Sequence, residues 1–464
     1  MRSIETCADI ARTESINKEA AVAISYTNEE ILRLIDENDV TYIRLWFTDI
    51  LGQLKGMSIT KSEIGQVLEE GQGFDGSSIE GFVRIQESDL MAIPDLSTFR
   101  IFPWAVGGEK VALLFCDIQT PDGEPYGGDP RQVLKRVSGK LAAKGLVCNL
   151  GPELEYFYFE NPTNPQIIDK GGYFDYATVD KSTKLRKKTA NALEALGIKV
   201  ECTHHEVAHS QQEIDLKYQP ALKMADYAMI YRLVAKELAM EEGVYASFMP
   251  KPIFGQNGSG MHVHQSLFSG DNNIFFSRDD SYHLSETARS YIAGVLKYVP
   301  EFLLVTNQWV NSYKRLIDGY EAPVYISWGR RNRSSLVRVP MYRVGKEKAT
   351  RIELRCPDPA CNPYLAFAVM VSAGMAGIQE GLELSPSVEE NIFDMSGKER
   401  KERGIKSLPN SLENAIREFE KSKLMREVLG NHIFETLIAN KWVEWDKYRM
   451  QVTDYEIKEY FPWL

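Results

Sequence analysis

Long apolar runs are missing from this 464-residue sequence: no uninterrupted stretch reaches the ~18 residues that a membrane-spanning helix needs. The N-terminal stretch carries Glu5, Asp9, Arg12 and Glu14, which leaves no apolar core for a secretory signal. Cysteine is scarce as well. The six present, at positions 7, 116, 148, 202, 356 and 361, include no CxxC pair. That pattern points away from zinc and disulfides and towards a reducing, cytoplasmic setting. Positive charge is in the minority: 54 Lys and Arg against 65 Asp and Glu give a net charge of −11, which argues against the basic face of a nucleic-acid binder. A local basic pocket for phosphates stays open. Internal repeats and low-complexity segments are also missing.

What is there reads as globular protein, 44% hydrophobic and 26% charged. The length exceeds one ordinary core, so two domains are expected, one of them large. Residues 1–25 read as an extension of weak helical character with no assignable chemistry. Thr27 then opens a helix, with Glu30 completing a capping box and Ile31, Leu32, Leu34 and Ile35 forming the apolar stripe. In Thr41–Thr48, Ile43, Leu45 and Phe47 alternate as in a half-buried strand, and Asp49 and Gly52 turn the chain into a second one. Helix and short strands to about residue 120 make a small α+β domain. The Pro/Gly-rich segment Thr120–Gly128 is the linker. Beyond it, helices near 130–145, 181–197, 219–242 and 285–305 alternate with strands, and a polar tail of helices runs from about 410 to 460.

Several strand-like segments bring acidic or imidazole side chains to one face. In Gly151–Phe159, Glu153 and Glu155 share a face ~7 Å apart, where two carboxylates repel unless a cation sits beside them. An exposed edge strand with two glutamates would read the same way. His204-His205-Glu206 and Glu213 flank a short turn. Asn257–His264 is a glycine-rich turn followed by His262 and His264 on one strand face. Arg351, Glu353 and Arg355 alternate with Ile352 and Leu354. A lone histidine is more often a core residue than a ligand, yet four such segments together fit an oxygen-rich site for Mg2+ or Mn2+ better than zinc. Lys314, Arg315, Arg330, Arg331, Arg333, Arg338 and Lys348 add a basic cluster. It is either a solvated face or a phosphate pocket, and the apolar neighbours Trp328, Leu336, Val337 and Val339 favour the pocket.

Seven stretches in order together resemble the type I glutamine synthetases: FTDILG (47–52), GFDGSSIEGF (73–82), GPELEYFYF (151–159), HHEVA through QQE (204–213), KPIFGQNGSGMHVHQSL (251–267), NSYKRL through SSLVRVP (311–340) and RIELRCPDPACNPYLAFAV (351–369). The resemblance covers nearly the whole chain from about residue 25. It implies an α+β fold: a β-grasp-like N-terminal domain at 26–122 after the 1–25 extension, then a catalytic domain at 127–464. The latter would be an antiparallel curved sheet with flanking helices. It also implies ATP-dependent ligation of glutamate and ammonia in the cytoplasm.

Carried over by motif position, Glu155, Glu206 and Glu213 would hold one metal ion and Glu153, His262 and Glu353 a second, with two or three Mg2+ (or Mn2+) ions per site and ATP as co-substrate. Glu201, Tyr218, His264, Ser266 and Lys348 stand where the family contacts ATP, Tyr218 against the adenine. Arg338 would hold nucleotide phosphate, and Arg333 would neutralise the phosphoryl group in transfer. Arg315 would clamp the α-carboxylate of glutamate, Arg355 the reacting γ-carboxylate, and Asn257 and Gly258 would contact the substrate. Ammonium would bind among Asp49, Tyr173, Glu206 and Glu321, with Glu321 on a covering loop that begins near Leu316 and hinges at Gly319. In the family Asp49 comes from a neighbouring subunit, which implies a homo-oligomeric ring, commonly a dodecamer of two stacked hexamers, with no nucleic-acid or membrane partner.

The chain departs from the family pattern at His209-Ser210 (usually Pro-Gly), Thr306–Val310, Asp318 (usually Pro) and Phe393, where adenylylated members carry tyrosine. His209 is expected to face solvent. The Asn307-Gln308-Trp309 run and Cys361 are similar to γ-glutamylpolyamine synthetases, so a polyamine acceptor is the rival reading, and Asp318 would suit a cationic amine. A non-enzymatic relative of the fold is the alternative from another class, against which all six metal-ligand positions are retained.

Overall fold

The computed structural model describes residues 26–79, 81, 89–176, 181–330, 332, 334–343 and 345–464. The N-terminal extension 1–25, part of the 73–82 stretch, and the predicted arginines Arg331 and Arg333 lie outside the described residues. The chain forms two compact units. One takes in the described residues up to Trp46, Gly56–Gln72 and Ile93–Cys116; the other takes in Phe47–Lys55, Gly73–Ala92 and Asp117–Leu464.

Helix α1 (Asn28–Glu37) opens the first unit. Thr27 Oγ1 accepts from the Glu30 amide at 3.2 Å while Glu30 Oε2 accepts from the Thr27 amide at 2.8 Å, so the expected capping box is closed. Its apolar stripe buries Ile31 and Ile35. Strands β1 (Tyr42–Thr48), β2 (Leu54–Thr60), β3 (Gln72–Asp75), β4 (Asp89–Pro94), β5 (Arg100–Ile101) and β6 (Val111–Gln119), with α2 (Ile64–Glu70) between β2 and β3, build a sheet of order β2-β1-β6-β4-β3 with β5 against β6. β1 lies parallel to β6, Tyr42 opposite Val111 through Trp46 opposite Phe115. Trp46 meets the rings of Phe102 and Phe115 edge-on.

The second unit is built on a long sheet. Its strands are β7 (Val147–Phe159), β8 (Val200–His205), β9 (Gln211–Leu216), β10 (Gln219–Pro220), β11 (Tyr245–Ser247), β12 (Met261–Ser269), β13 (Asn272–Asn273), β14 (Tyr325–Gly329), β15 (Ser335–Arg338), β16 (Ile352–Leu354) and β17 (Lys406–Ser407). The order is β17-β14-β15-β16-β12-β7-β9-β8, antiparallel except for the parallel β14/β15 pair. Helices α3 (Pro130–Ala142), α4 (Thr183–Ala195), α5 (Ala221–Glu241), α6 (Glu286–Thr306), α7 (Ser312–Arg315) and α8 (Pro363–Glu380) interleave with the strands, four of them within a few residues of the expected spans. α6 and α8 touch through glycines: a Cβ on Gly294 would lie 2.7 Å from the Gly377 Cα, and one on Gly377 2.6 Å from the Gly294 Cα.

Asn362 caps α8 with its Oδ1 on the Tyr364 and Leu365 amides and gives its Nδ2 to the Asp49 carbonyl at 3.0 Å. A Cβ on Gly52 would lie 2.6 Å from the Asn362 Cα, so the β1–β2 turn seats there only as glycine. The C-terminal helices α9 (Gly397–Glu402), α10 (Leu412–Glu420), α11 (Lys423–Leu429), α12 (Asn431–Arg449) and α13 (Asp454–Glu459) follow. The expected polar tail is polar on one side only, since Ile416, Phe419, Phe434 and Leu437 are buried. No helix among the described residues is long and apolar enough to cross a membrane.

Candidate functional site

The site begins with strand geometry. Side chains two apart on β7 share a face, and residues opposite each other on paired strands share it too. Glu153 stands opposite His262 on β12 and Asp215 on β9; Glu155 stands opposite Glu213, and Glu213 opposite His204 on β8. On the other side His264 faces Glu353 on β16, and Glu353 faces Arg338 on β15. Register therefore lays acid, imidazole and guanidinium on one face across six strands. All of these but His264 and Glu353 wall a cavity of about 270 Å³ that Tyr173, Asn257, Gly258, Arg315, Glu321 and Arg355 also line.

Two clusters on this face have the spacing of cation sites. Glu153, His262 and Glu353 can each offer an atom within 4.8 Å of the others, and so can His204, Glu206 and Glu213. Their electrostatics differ. Burial pushes the Glu153 carboxyl up, but His264 and His262 outweigh it and hold it well below the usual range. Glu353 is fully buried and likewise held down, because Arg355 and His264 overcome burial. Burial and the nearby Arg355 lower His262 to about 4, so its ring is a neutral imidazole with a lone pair to give. Around the other cluster, with Glu155 and Asp215 beside it, the acids are in conflict. Burial together with the neighbouring Glu206 raises Glu155 to about 8. Burial raises Glu206, and burial with Asp215, Glu155 and other carboxylates raises Glu213 well above its ordinary value. Asp215, half-buried beside Glu153, is pushed up to about 6 by desolvation and by that neighbouring charge. Carboxylates packed this way are relieved by a bound cation, and all-oxygen donors with one imidazole suit Mg2+ or Mn2+.

The arginines close the other side. Glu353 accepts from Arg338 at 2.6 Å and from Arg355 at 2.5 Å. Arg351, on the same strand face, donates to His264 Nδ1 at 3.2 Å, which leaves His264 Nε2 to donate to Glu153 at 2.7 Å. Arg355 Nε is buried with no protein acceptor, an orphaned donor in the cavity wall that suits an anionic ligand. Arg315 is buried and hung from the carbonyls of Arg355, Cys356 and Pro357. The Asn-Gly-Ser-Gly turn explains itself here. A Cβ on Gly260 would lie 2.5 Å from Arg315 Nη2 and 3.2 Å from Glu155 Oε1. Gly260 also donates its amide to Glu155 Oε2 at 3.0 Å.

Loops complete the rim. Asp169, buried, accepts from His205 Nε2 at 2.8 Å, from the Gly171 and Ser210 amides at 3.1 Å, and from Ser182 Oγ. This pins the segment that carries Tyr173 to the turn that carries Glu206. Ser210 adopts φ 64°, the left-handed backbone of the glycine it replaces. His209 does not simply face solvent as expected. It is half-buried, with its ring 3.0 Å from the Gly171 carbonyl and its amide 3.0 Å from Gln256 Oε1. Gly319, with φ 88°, sits in the covering loop, and Glu321 follows at φ 56° with Asn257 Nδ2 3.5 Å from its Oε2.

Other expected residues lie outside the cavity lining. Tyr218 and His264 flank Gly151, 3.6 and 3.8 Å from where its Cβ would be. Glu201 and Tyr218 are exposed, Ser266 is buried on β12, and Lys348 is in a short turn whose carbonyl accepts from Asn273. Asp49 is 1% exposed and holds the β1–β2 turn through the Leu51 and Gln53 amides, with Lys55 at 3.3 Å; burial raises its pKa. Sequence reasoning missed Gln211, which gives its Nε2 to Glu155 at 2.7 Å, along with Asp215, and it named His204 without giving it a role. A signal was available: Gln211, Glu213 and Asp215 alternate with Gln212, Ile214 and Leu216 along one strand. A second cavity, of about 410 Å³ beside Trp309 and Tyr448, carries a single carboxylate, Glu444.

A face that sets acidic clusters against converging guanidiniums is built to handle phosphate and carboxylate groups, and it places the chain among carboxylate-activating enzymes. Comparison with known proteins narrows the class. Residues 39–121 match the glutamine synthetase β-grasp domain and residues 127–460 the glutamine synthetase catalytic domain. A glutamine synthetase of Mycobacterium tuberculosis (strain ATCC 25618 / H37Rv) is 51% identical over 439 residues, 93% of this chain and 98% of that protein. Among solved structures, the GmaS/ADP complex (conformation 1) superposes with a TM-score of 0.84 at 27% identity, covering 93% of this chain and 99% of that one. The Plasmodium falciparum glutamine synthetase solved by cryoEM gives 0.85 at 25% identity, covering 94% and 99%. The chain belongs to the glutamine synthetase family.

Proposed function

We propose that this chain joins L-glutamate to ammonia at the expense of ATP, through γ-glutamyl phosphate, to give L-glutamine. The observation that carries the reading is the set of Glu155, Glu153, His262, Glu353 and Arg338 on one sheet face, with Arg355 beside it. Glu206 and Glu213, which cluster with His204, would hold one divalent cation together with Glu155 on the adjacent strand, and Glu153, His262 and Glu353 a second; two or three Mg2+ or Mn2+ ions per site fit the donors. Bound there, such ions polarise phosphoryl oxygens and offset the charge that builds during transfer.

The chain's own groups supply position and charge. Arg355 orients the γ-carboxylate through a donor that has no protein acceptor, and Arg315 takes the α-carboxylate beside Asn257 and Gly258. Arg338 meets nucleotide phosphate, with Arg333 assigned by its place in the motif. Tyr218, Glu201, His264, Ser266 and Lys348 receive ATP along the strip running past Gly151. The structurally similar GmaS chain was solved as an ADP complex, which supports an adenine nucleotide as a ligand. Tyr173, Glu206 and Glu321 receive ammonium, a carboxylate oxygen takes the proton it loses, and the covering loop keeps water from the acyl phosphate.

Asp49 lies outside the lining of its own chain's cavity. That fits a site completed by a neighbouring subunit's Asp49 in a homo-oligomeric ring, a dodecamer of two hexamers. The domain limits we adopt are 26–122 and 127–464, after an extension at 1–25. The five described cysteines, all free thiols, fit a reducing cytoplasm.

The departures support ammonia over a polyamine. Asn307 and Gln308 are buried and spend their amides on the Cys356, Leu51 and Ala360 carbonyls. Asp318 accepts from Tyr325 at 3.0 Å and does not line the cavity. Steady-state turnover with ammonium, methylamine and putrescine should therefore give the highest kcat/KM for ammonium. A higher value for putrescine would replace this reading with the polyamine ligase.

A further inference from the structure

The covering loop is held from outside itself. Glu321 takes a left-handed backbone, at φ 56°, without the freedom of glycine, so the loop needs contacts that fix its geometry. One comes from Lys251, in the segment after β11. Its side chain is 9% exposed, its Nζ donates to the Gln256 carbonyl, and the same Nζ sits 3.7 Å from the centroid of the Tyr320 ring. The Lys251 backbone is clamped as well: its amide donates to Asn311 Oδ1 at 2.7 Å, and its carbonyl accepts from Asn311 Nδ2 at 3.0 Å. Among the described residues Lys251 makes no ion pair, so its charge is met by a carbonyl and an aromatic face. Cation–π attraction strengthens when the ammonium is stripped of water, as it is here. Six residues on, Asn257 reaches Glu321 from the same segment.

We infer that Lys251 is a positioning residue, whose ammonium under Tyr320 latches the covering loop across the cavity and so sets Glu321 at the amine site. The inference rests on the ligase reading above. An open loop admits water to the acyl phosphate; attack by water breaks the acyl–oxygen bond, returns glutamate and releases phosphate with no amide formed. The latch is thus a device for coupling ATP use to amide formation as well as for holding ammonium.

The test compares the full-length enzyme with Lys251→Met, Lys251→Arg, Tyr320→Phe and Tyr320→Leu. Phosphate released per glutamine formed and the KM for ammonium are measured, along with hydrogen exchange of residues 317–322 by mass spectrometry. Lys251→Met and Tyr320→Leu should each raise the uncoupled phosphate and the ammonium KM about tenfold, while Tyr320→Phe and Lys251→Arg, which keep the ring face and the cation, stay within about twofold of the parent. Combining Lys251→Met with Tyr320→Leu should be no worse than the worse single change, because both break one contact. Exchange of the loop should quicken in the same two variants, a readout that needs no turnover. Parental coupling and exchange in Lys251→Met, or effects that multiply in the double variant, would overturn the latch. Should Lys251→Met not fold, equal behaviour of Tyr320→Phe and Tyr320→Leu would overturn it. A parent that forms no glutamine but shows the predicted exchange pattern removes the ligase reading and leaves the latch.

Discussion

Glu155 is the residue at which the chemistry of the site is most exposed to measurement. It is buried beside Glu206, opposite Glu213, and its carboxyl titrates at about 8, while Asp215 next along β9 titrates at about 6. A carboxyl whose folded pKa lies above its unfolded value, 4.5 for glutamate, stabilises the protein only while protonated. That contribution is complete below about 4.5 and is lost as the pH rises through the folded value. The metal-free chain should therefore lose thermal stability between pH 5 and about 8. Mg2+, which needs the ionised carboxylates, should restore more of it at the upper end and release protons on binding. Melting curves in EDTA and in MgCl2 across this range check the point. A Mg2+-induced rise in Tm that is the same at every pH would mean these acids do not hold the ion. The other cluster should contribute little to this trend, because Glu153 and Glu353 are already held as anions.

At the scale of elements, strands carry the site, and this decides what could be read in advance. The period of two along β7 put Glu153 and Glu155 on one face, and the capping box at Thr27 marked the start of α1; both depend on neighbours a few residues away. Much of the residue assignment came through the seven motifs, since no local rule tells that β7 pairs with β12 or that β16 lies beyond it. His204 was given no role because its partnership with Glu213 exists only once β8 and β9 are in register. The partner of Arg351 was hidden for a related reason. Sharing a strand face with Glu353 did not make them partners, and the adjacent β15 brought Arg338 closer. His209 read as solvent-facing because the loop around Gly171 that covers it is distant in sequence. The contact of Lys251 with Tyr320, across 69 residues, was likewise invisible before the fold. At Gly260 the logic ran the other way, and an unexplained glycine in a motif became the space that Arg315 and Glu155 require.

At the scale of the whole molecule, the account asks for assembly. Asp49 sits at a turn that Asn362 and Gly52 fix against the start of α8, away from the cavity of its own chain. Chains carrying Asp49→Ala and chains carrying Arg355→Ala should each be nearly inactive. Mixed in equal amounts and reassembled, they should recover activity towards roughly a quarter of the parent, because in a closed ring with independent choice of subunits that fraction of interfaces has both residues intact. Mixed oligomers that form, as shown by native mass spectrometry, and stay inactive would confine Asp49 to its own chain or remove it from the reaction. Activation of a carboxylate by phosphate is the claim that joins all three scales, and isotope transfer tests it most directly. Glutamate labelled with 18O in both γ-carboxylate oxygens is turned over with unlabelled ATP, Mg2+ and ammonium, and the released phosphate is analysed by mass spectrometry. If γ-glutamyl phosphate forms, each phosphate carries one 18O and the glutamine keeps the other; phosphate free of label, with glutamine still produced, would contradict the account.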